Sequence, residues 1–533
     1  MTSIAENKKL FKKKNFYFYI FLLILVSFFF NQYYAHIGVL PVDTFSTFNG
    51  GYDVLNGRLP FRDYWTVKAP LLDLIQAFFF KVFGISWFSY SAHASVFNSL
   101  FALSTFFTLR KFNLDLKYCF IYSLLASLLM YPTYGIPFSD HHASILCMIS
   151  IYCLCLAIKT NKDFYWFFLP IFLFLAFFSK QAPSGYIGVL ILVISLIYFS
   201  LNFRISKIVN TFLGSLFIIS IFALVIFFYN ISIESLILQH FLFPLSLGES
   251  RLDWLFPLEF KRFVWRHKLI YLSLSIPIFI LIKNSLKNYK YMFSNESLII
   301  LLLIATGLIF ISHQLLTING LFIFFLIPVF SGFSHILSQY YFKKKNTIIF
   351  LLVLSFISTV YYHQKYISKR DTLLLRNVDL TKSIDASILD NKLKNLKWIT
   401  RNYPENPKEE IQNLLDSIEI IKNDKRNKMI VTDYQFISVI LSISDNSAVR
   451  IWWRHHLYPA PQEKYFDEWK EFFLKSIKKN NIEVIYTVHP LEGEDDVLKN
   501  MINKECSFKN KINNILDLQV LKDCEELKTY PNL

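Results

Sequence analysis

Eleven long apolar stretches constrain this chain more than any other feature. They lie at 17–39, 87–109, 117–132, 139–158, 164–179, 185–203, 208–229, 269–282, 298–315, 319–340 and 347–362, and 269–282 is the shortest. About 20 helical residues cross the roughly 30 Å of bilayer hydrocarbon, and lipid offers no partner to an unpaired backbone amide. The 533 residues are 54% hydrophobic, with 57 Phe and 30 Tyr, which is too apolar for a soluble chain of this size. The expected fold is an α-helical polytopic membrane protein with about eleven spans.

Orientation follows from lysine and arginine in the short loops. With the N-terminus inside, the cytoplasmic segments 1–16, 110–117, 159–163, 204–207, 283–297 and 341–346 hold eighteen basic residues, from Lys8 to Lys345. The short outer loops 131–139, 180–184 and 316–319 hold only Lys180. A further crossing at 70–86 would invert every later loop. That segment carries Asp73, Gln76 and Lys81 among apolar neighbours, so the expectation is an amphipathic helix lying on the outer interface. The first span has a basic flank and no small-residue cleavage site, and reads as a retained anchor in an inner (plasma) membrane. The formal charge of +16 suits an anionic inner leaflet, and the loop lysines account for it without nucleic acid.

Eleven crossings place the C-terminus outside. The expected division is a transmembrane part, 1–362, with long outer loops at 40–86 and 230–268, and a soluble part, 363–533. The tail's apolar runs at 428–432, 449–453 and 482–487 alternate with helical patterns at 406–424, 434–442, 463–480 and 494–503. That alternation suggests a small α/β domain with a parallel sheet. Its role is a lid, an acceptor-docking platform or a structural cap. Cys119, Cys147, Cys153 and Cys155 fall in spans as packing residues. Cys506 and Cys524 would pair in an oxidising compartment.

The first outer loop carries the residues with the most chemistry. It has Asp43 just after the first span, then Gly50-Gly51, then Gly57-Arg58-Leu59-Pro60-Phe61-Arg62-Asp63, then Lys68-Ala69-Pro70-Leu71 opening the interfacial helix. This pattern resembles the GT-C membrane glycosyltransferases, such as protein O-mannosyltransferases and aminoarabinose lipid A transferases. The resemblance implies transfer of a sugar from a polyprenyl-phosphate carrier to a glycan, lipid or protein acceptor on the non-cytoplasmic face. Asp43 then matches the catalytic acid, Asp140 the second-loop acid, and Lys68 and Lys180 the cations that hold the carrier phosphate. The chain departs from many relatives in having Thr44 where they carry Glu, and Ala69 where they carry Pro.

A carboxylate at Asp43 can take the proton of an attacking hydroxyl, and a lysine can stabilise a departing phosphate. Arg251, His313, Gln314 and Asn319 are further carrier-binding candidates. A divalent cation, Mg or Mn, on Asp43, Asp140 and His141 is an option. Plainer roles stay open. Asp43 suits an interfacial turn, and Ser139 with Asp140 a helix cap. Lys68 and Lys180 suit snorkelling, and His141 and His142 a polar lining. Asp53 and Asp63 read as loop hydrogen-bonders. The competing functions are a lipid-linked saccharide flippase or transporter and a non-catalytic polysaccharide-assembly component. The almost charge-free span interiors, with His93 the nearest exception, speak against transport.

Overall fold

The computed structural model describes residues 2–255, 259–317, 322–491, 497–522 and 524. The chain is mostly helical, with a small sheet region near its C-terminal end. Among the described residues, nine helices are long and apolar enough to cross a membrane. Each of the eleven expected spans contains a helix, with 319–321 of the one expected at 319–340 outside the described residues. Two of them are not among these nine: Leu116–Leu129 with 14 residues and Asp163–Ser179 with 17. The stretch expected to be the shortest, 269–282, lies within a full 20-residue helix, Lys268–Lys287, because the turns carrying Lys283, Asn284 and Lys287 continue it.

The chain forms two compact units, and the division does not fall at 362. One unit comprises 1–35, 91–222 and 253–372; the other comprises 36–90, 223–252 and 373–533. The first outer loop therefore belongs with the C-terminal region.

In the first unit, Ser139–Thr160 is buried along almost its whole length. Its Ala, Ser and Cys residues are small enough for neighbouring helices to approach closely, which is how apolar helices pack without a hydrophobic drive between them. Gly214 shows the same principle. A Cβ there would stand 2.0 Å from the carbonyl oxygen of Phe167, so Ile205–Phe228 can pack on Asp163–Ser179 only through a glycine. The turn at 131–135 is held by Arg370, which donates to the carbonyls of Pro132 (2.9 Å), Thr133 (3.3 Å) and Tyr134 (2.6 Å).

In the second unit, the helices Ser46–Leu55 and Pro70–Phe83 pack through Gly50 and Gly51. A Cβ on Gly50 would meet the Asp73 carboxylate at 2.2 Å, and one on Gly51 the Gln76 side chain at 2.4 Å. The helix expected at 70–86 is thus present as 14 residues, too few to cross. Its polar residues Asp73 and Gln76 face inward, while Phe78, Val82 and Phe83 are more than half exposed.

Among the described residues the tail has six short strands: β1 (Ile384–Asp385), β2 (Lys397–Trp398), β3 (Lys428–Thr432), β4 (Val484–Val488), β5 (Ser507–Lys511) and β6 (Leu516–Leu521). β1 and β2 pair antiparallel. The other four form one sheet in the order β3-β4-β6-β5. Only β3 and β4 are parallel, so the sheet is mixed; the antiparallel β5–β6 pair is a hairpin the sequence reading missed. The helix expected at 406–424 is Pro407–Asn423, and the one at 463–480 is Phe466–Lys479. The helix expected at 494–503 begins outside the described residues, and 497–501 is turn. Cys506 and Cys524 are disulfide-bonded. The apolar run 449–453 is no strand of this sheet. It bridges to the first loop instead, Val449 beside Trp65 in parallel register.

Candidate active site

The second unit contains Asp43, Lys68 and Arg251. Pro41 at the first position starts a short turn, Pro41–Thr44, that presents Asp43. Thr44 is buried and structural: its hydroxyl accepts from the Leu40 amide (2.9 Å), and its carbonyl accepts from the Tyr90 hydroxyl (2.9 Å). Lys68 precedes Ala69, whose φ of +63° is left-handed, followed by Pro70 as the first residue of its helix. The Lys68 ammonium stands 4.0 Å from the Asp43 carboxylate, with both side chains partly open at 23% and 15% exposure.

The framework around this pair is buried and charged. Arg450, from the C-terminal region, forms an ion pair with Asp73 at 2.6 Å, and the Tyr64 hydroxyl donates to Asp73 at 3.0 Å. Burial pushes the Asp73 carboxyl up to about 7, against the opposing pull of Arg450 and the Tyr64 hydrogen bond. Asp53 and Asp445 share one guanidinium, that of Arg58, at 3.0 and 2.5 Å. Burial also raises Asp53. Arg58 offsets part of that, and the neighbouring Asp445 adds to it. Asp63 accepts from the Leu59 amide, Arg62 and Lys479, and these bonds outweigh burial and hold it below the usual carboxylate range. Asp53 and Asp63 are therefore loop-fixing groups, as their positions in the sequence suggest.

Arg251 lies close enough to matter electrostatically. Burial, helped by the positive charges of Arg251, His455 and Lys68, lowers His456 to about 4. Lys68, Arg251 and a neutral imidazole thus share one electropositive neighbourhood. Trp453 packs on that imidazole with ring centroids 4.4 Å apart.

The first unit gathers a different set. Lys180, between Asp163–Ser179 and Gln181–Leu201, donates to both oxygens of Asp140 at 2.7 Å each. His313 Nε2 bonds to the same carboxylate at 3.1 Å. The cap expected from Ser139 and Asp140 does not form. Phe138 is the cap residue without a side-chain bond, Ser139 Oγ has no partner, and the Asp140 carboxylate is turned to Lys180.

His141 and His142 diverge, as adjacent residues on a helix must. His141 Nε2 bonds to Thr133 Oγ1 at 2.6 Å. His142 bonds to Tyr131 through Nδ1 and to His93 Nε2 at 2.9 Å through Nε2. Gln314 accepts from the Phe322 amide, and Asn319 lies outside the described residues.

No family model and no curated protein matches this chain.

The expected metal set does not fit the geometry. Asp43 faces Lys68, and Asp140 is committed to Lys180 and His313. Among the described residues, no group of three or more His, Cys, Asp or Glu side chains is arranged to hold a metal ion. A carboxylate already beside an ammonium is a poor cation ligand, so no step is assigned to a metal.

Sequence reasoning missed Asp445, Arg450 and His456. The stretch Arg450-Ile451-Trp452-Trp453-Arg454-His455-His456 was the available signal. Its cations and aromatics are denser than a strand needs, and a reading by hydropathy alone takes it for β.

Proposed function

We propose that this chain is a membrane glycosyltransferase that moves a sugar from a polyprenyl-phosphate carrier to an acceptor on the non-cytoplasmic face. One observation carries the reading: a partly open carboxylate, Asp43, beside a partly open ammonium, Lys68, on a loop otherwise fixed by buried ion pairs. Such a pair holds base and phosphate binder together. Asp43 takes the proton of the acceptor hydroxyl as its oxygen attacks the anomeric carbon. Lys68 and Arg251 stabilise the carrier phosphate as its charge grows, and neutral His456 offers it a donor N–H. Attack opposite the carrier inverts the anomeric centre.

The proposed orientation has the N-terminus in and the C-terminal region out. The lysine and arginine asymmetry supports it, and so does a disulfide in the tail, since such bonds persist in oxidising compartments.

Membranes with Asp43→Asn at normal expression should lose about 10²- to 10⁴-fold in transfer of a lipid-linked sugar. Undiminished transfer would remove Asp43 as the base.

One observation favours a second reading, a transporter. His93, His142 and Tyr131 form a continuous buried hydrogen-bonded chain, and ionisable groups inside spans are commonly functional. Uptake of a lipid-linked saccharide into vesicles under a proton gradient, abolished by His142→Phe, would put that reading first.

A further inference from the structure

The segment 448–456 is stitched to the first loop by backbone bonds. The Trp65 amide donates to the Ala448 carbonyl at 2.8 Å, and the Arg450 amide donates back to the Trp65 carbonyl at 3.4 Å. This two-residue ladder delivers the Arg450 side chain into the interior of the loop, where it is 7% exposed.

Its contacts fall on both sides of the Asp43–Lys68 pair. On the Asp43 side, Nε donates to the Ser46 carbonyl (3.2 Å) and Nη2 to Thr47 Oγ1 (2.6 Å). On the Lys68 side, Nη1 donates to the carbonyls of Lys68 and Ala69, each at 3.4 Å. Nη2 also faces Asp73 at 2.6 Å, at the start of the helix that follows. Ala69 sits between these bonds with φ +63°, a conformation that a residue bearing a Cβ avoids. Local donors bond its carbonyls, the Thr66 hydroxyl that of Lys68 (3.0 Å) and the Leu72 amide that of Ala69 (3.0 Å), and Arg450 is the donor among them that also reaches Ser46 and Thr47.

We propose that Arg450 is the positioning residue of this site: one guanidinium spans the two chain segments carrying Asp43 and Lys68 and fixes their separation. The guanidinium is suited to this because its donors form a planar fork that reaches several acceptors at once. A lysine, whose donors share one nitrogen, cannot span Ser46, Thr47, Lys68, Ala69 and Asp73 together. The positioning role gains catalytic meaning from the reading of Asp43 and Lys68 as the reacting pair, but its test does not depend on transfer.

The test is trace acylation of the full-length protein in detergent with acetic anhydride. Modification of Lys68 is read by peptide mass spectrometry relative to the exposed Lys81 in the same sample. Arg450→Gln alone strands a buried carboxylate, so it is made together with Asp73→Asn, which leaves no unpaired buried charge. Asp73→Asn alone should leave the Lys68/Lys81 ratio unchanged, because the carbonyl bonds survive. The double variant should raise the ratio about threefold as the Asp43 pairing dissolves. Adding Ala69→Gly should bring it back toward wild type, because glycine keeps a left-handed φ without help.

A double variant with the wild-type ratio overturns the proposal, and so does a raised ratio that Ala69→Gly fails to lower. A ratio that behaves as expected while Asp43→Asn transfers sugar normally leaves Arg450 as the positioning group and removes the catalytic reading instead.

Discussion

Gly50→Ala tests the packing on which the loop depends. The added methyl would stand 2.2 Å from Asp73 Oδ1, 2.4 Å from Cγ and 2.8 Å from Oδ2, all at the end of a side chain committed to Arg450 and Tyr64. Two responses are open to the protein. If the two helices separate, the cost is that of an overpacked core, about 1–3 kcal/mol. If the carboxylate swings away, Arg450 loses its buried counter-charge, and breaking such a pair costs about 3–5 kcal/mol. The cheaper route sets the outcome, so we expect a loss of about 2–3 kcal/mol. For a unit of this size that lowers the melting temperature by roughly 4–12 °C, at about 2–4 °C per kcal/mol. Thermal melting in detergent, followed by size-exclusion of the fluorescently tagged protein, reads it directly. Gly185→Ala is the control, since a Cβ there meets nothing within 4 Å and its φ is not positive. Equal melting of Gly50→Ala and Gly185→Ala would refute the close approach of the two helices.

Two further outcomes follow from the charges. Asp73 titrates at about 7 in the folded protein, and Asp53 is also raised, so both favour protonation in the fold over the unfolded chain. Their contribution to stability is complete below the ordinary carboxylate value and is lost as pH rises through about 7. Melting of the unit containing the tail should therefore occur at lower temperature at pH 9 than at pH 6, and Asp53→Asn should flatten that slope; a flat wild-type profile contradicts it. In the membrane unit, Lys180→Met leaves Asp140 buried without its cation and should cost about 3–5 kcal/mol, with Asp140→Asn in the same chain recovering most of it. Failure of the double variant to recover stability would show that the pair is not what holds Gln181–Leu201 in place.

The helices were legible because their signal is local: lipid demands runs of apolar residues, and each run announces itself. Extent was less legible, since charged residues such as Lys283 and Lys287 end an apolar run without ending a helix. Asp43 and Lys68 drew notice because they lie within one loop, and the structure brings their side chains to 4.0 Å. What surrounds them was not. Arg450 and Asp445 act on that loop from hundreds of residues away, and a single chain gives no sign that the run 449–453, which looks like a strand, pairs with Trp65 and not with β3. The inward turn of Asp73 and Gln76 was hidden for another reason. Amphipathic periodicity shows that a helix has two faces, and only the glycines opposite, Gly50 and Gly51, say which face is inside.

The bonds between Arg450 and the Lys68 turn also bear on how the protein is made. Lys68 and Arg450 are 382 residues apart in the chain. At synthesis rates of roughly 5–20 residues per second, the loop leaves the ribosome about 20–75 s before its arginine exists. Through that interval Asp73 lacks the Arg450 guanidinium, and the left-handed turn at Ala69 rests on local bonds such as those from Thr66 and Leu72. The bonds from Arg450 to Ser46, Thr47, Lys68 and Ala69 therefore close only after the tail arrives. A chain that stops short of Arg450 would therefore lose the order of its first loop as well as its last domain, and quality control would meet the defect near the N-terminal end.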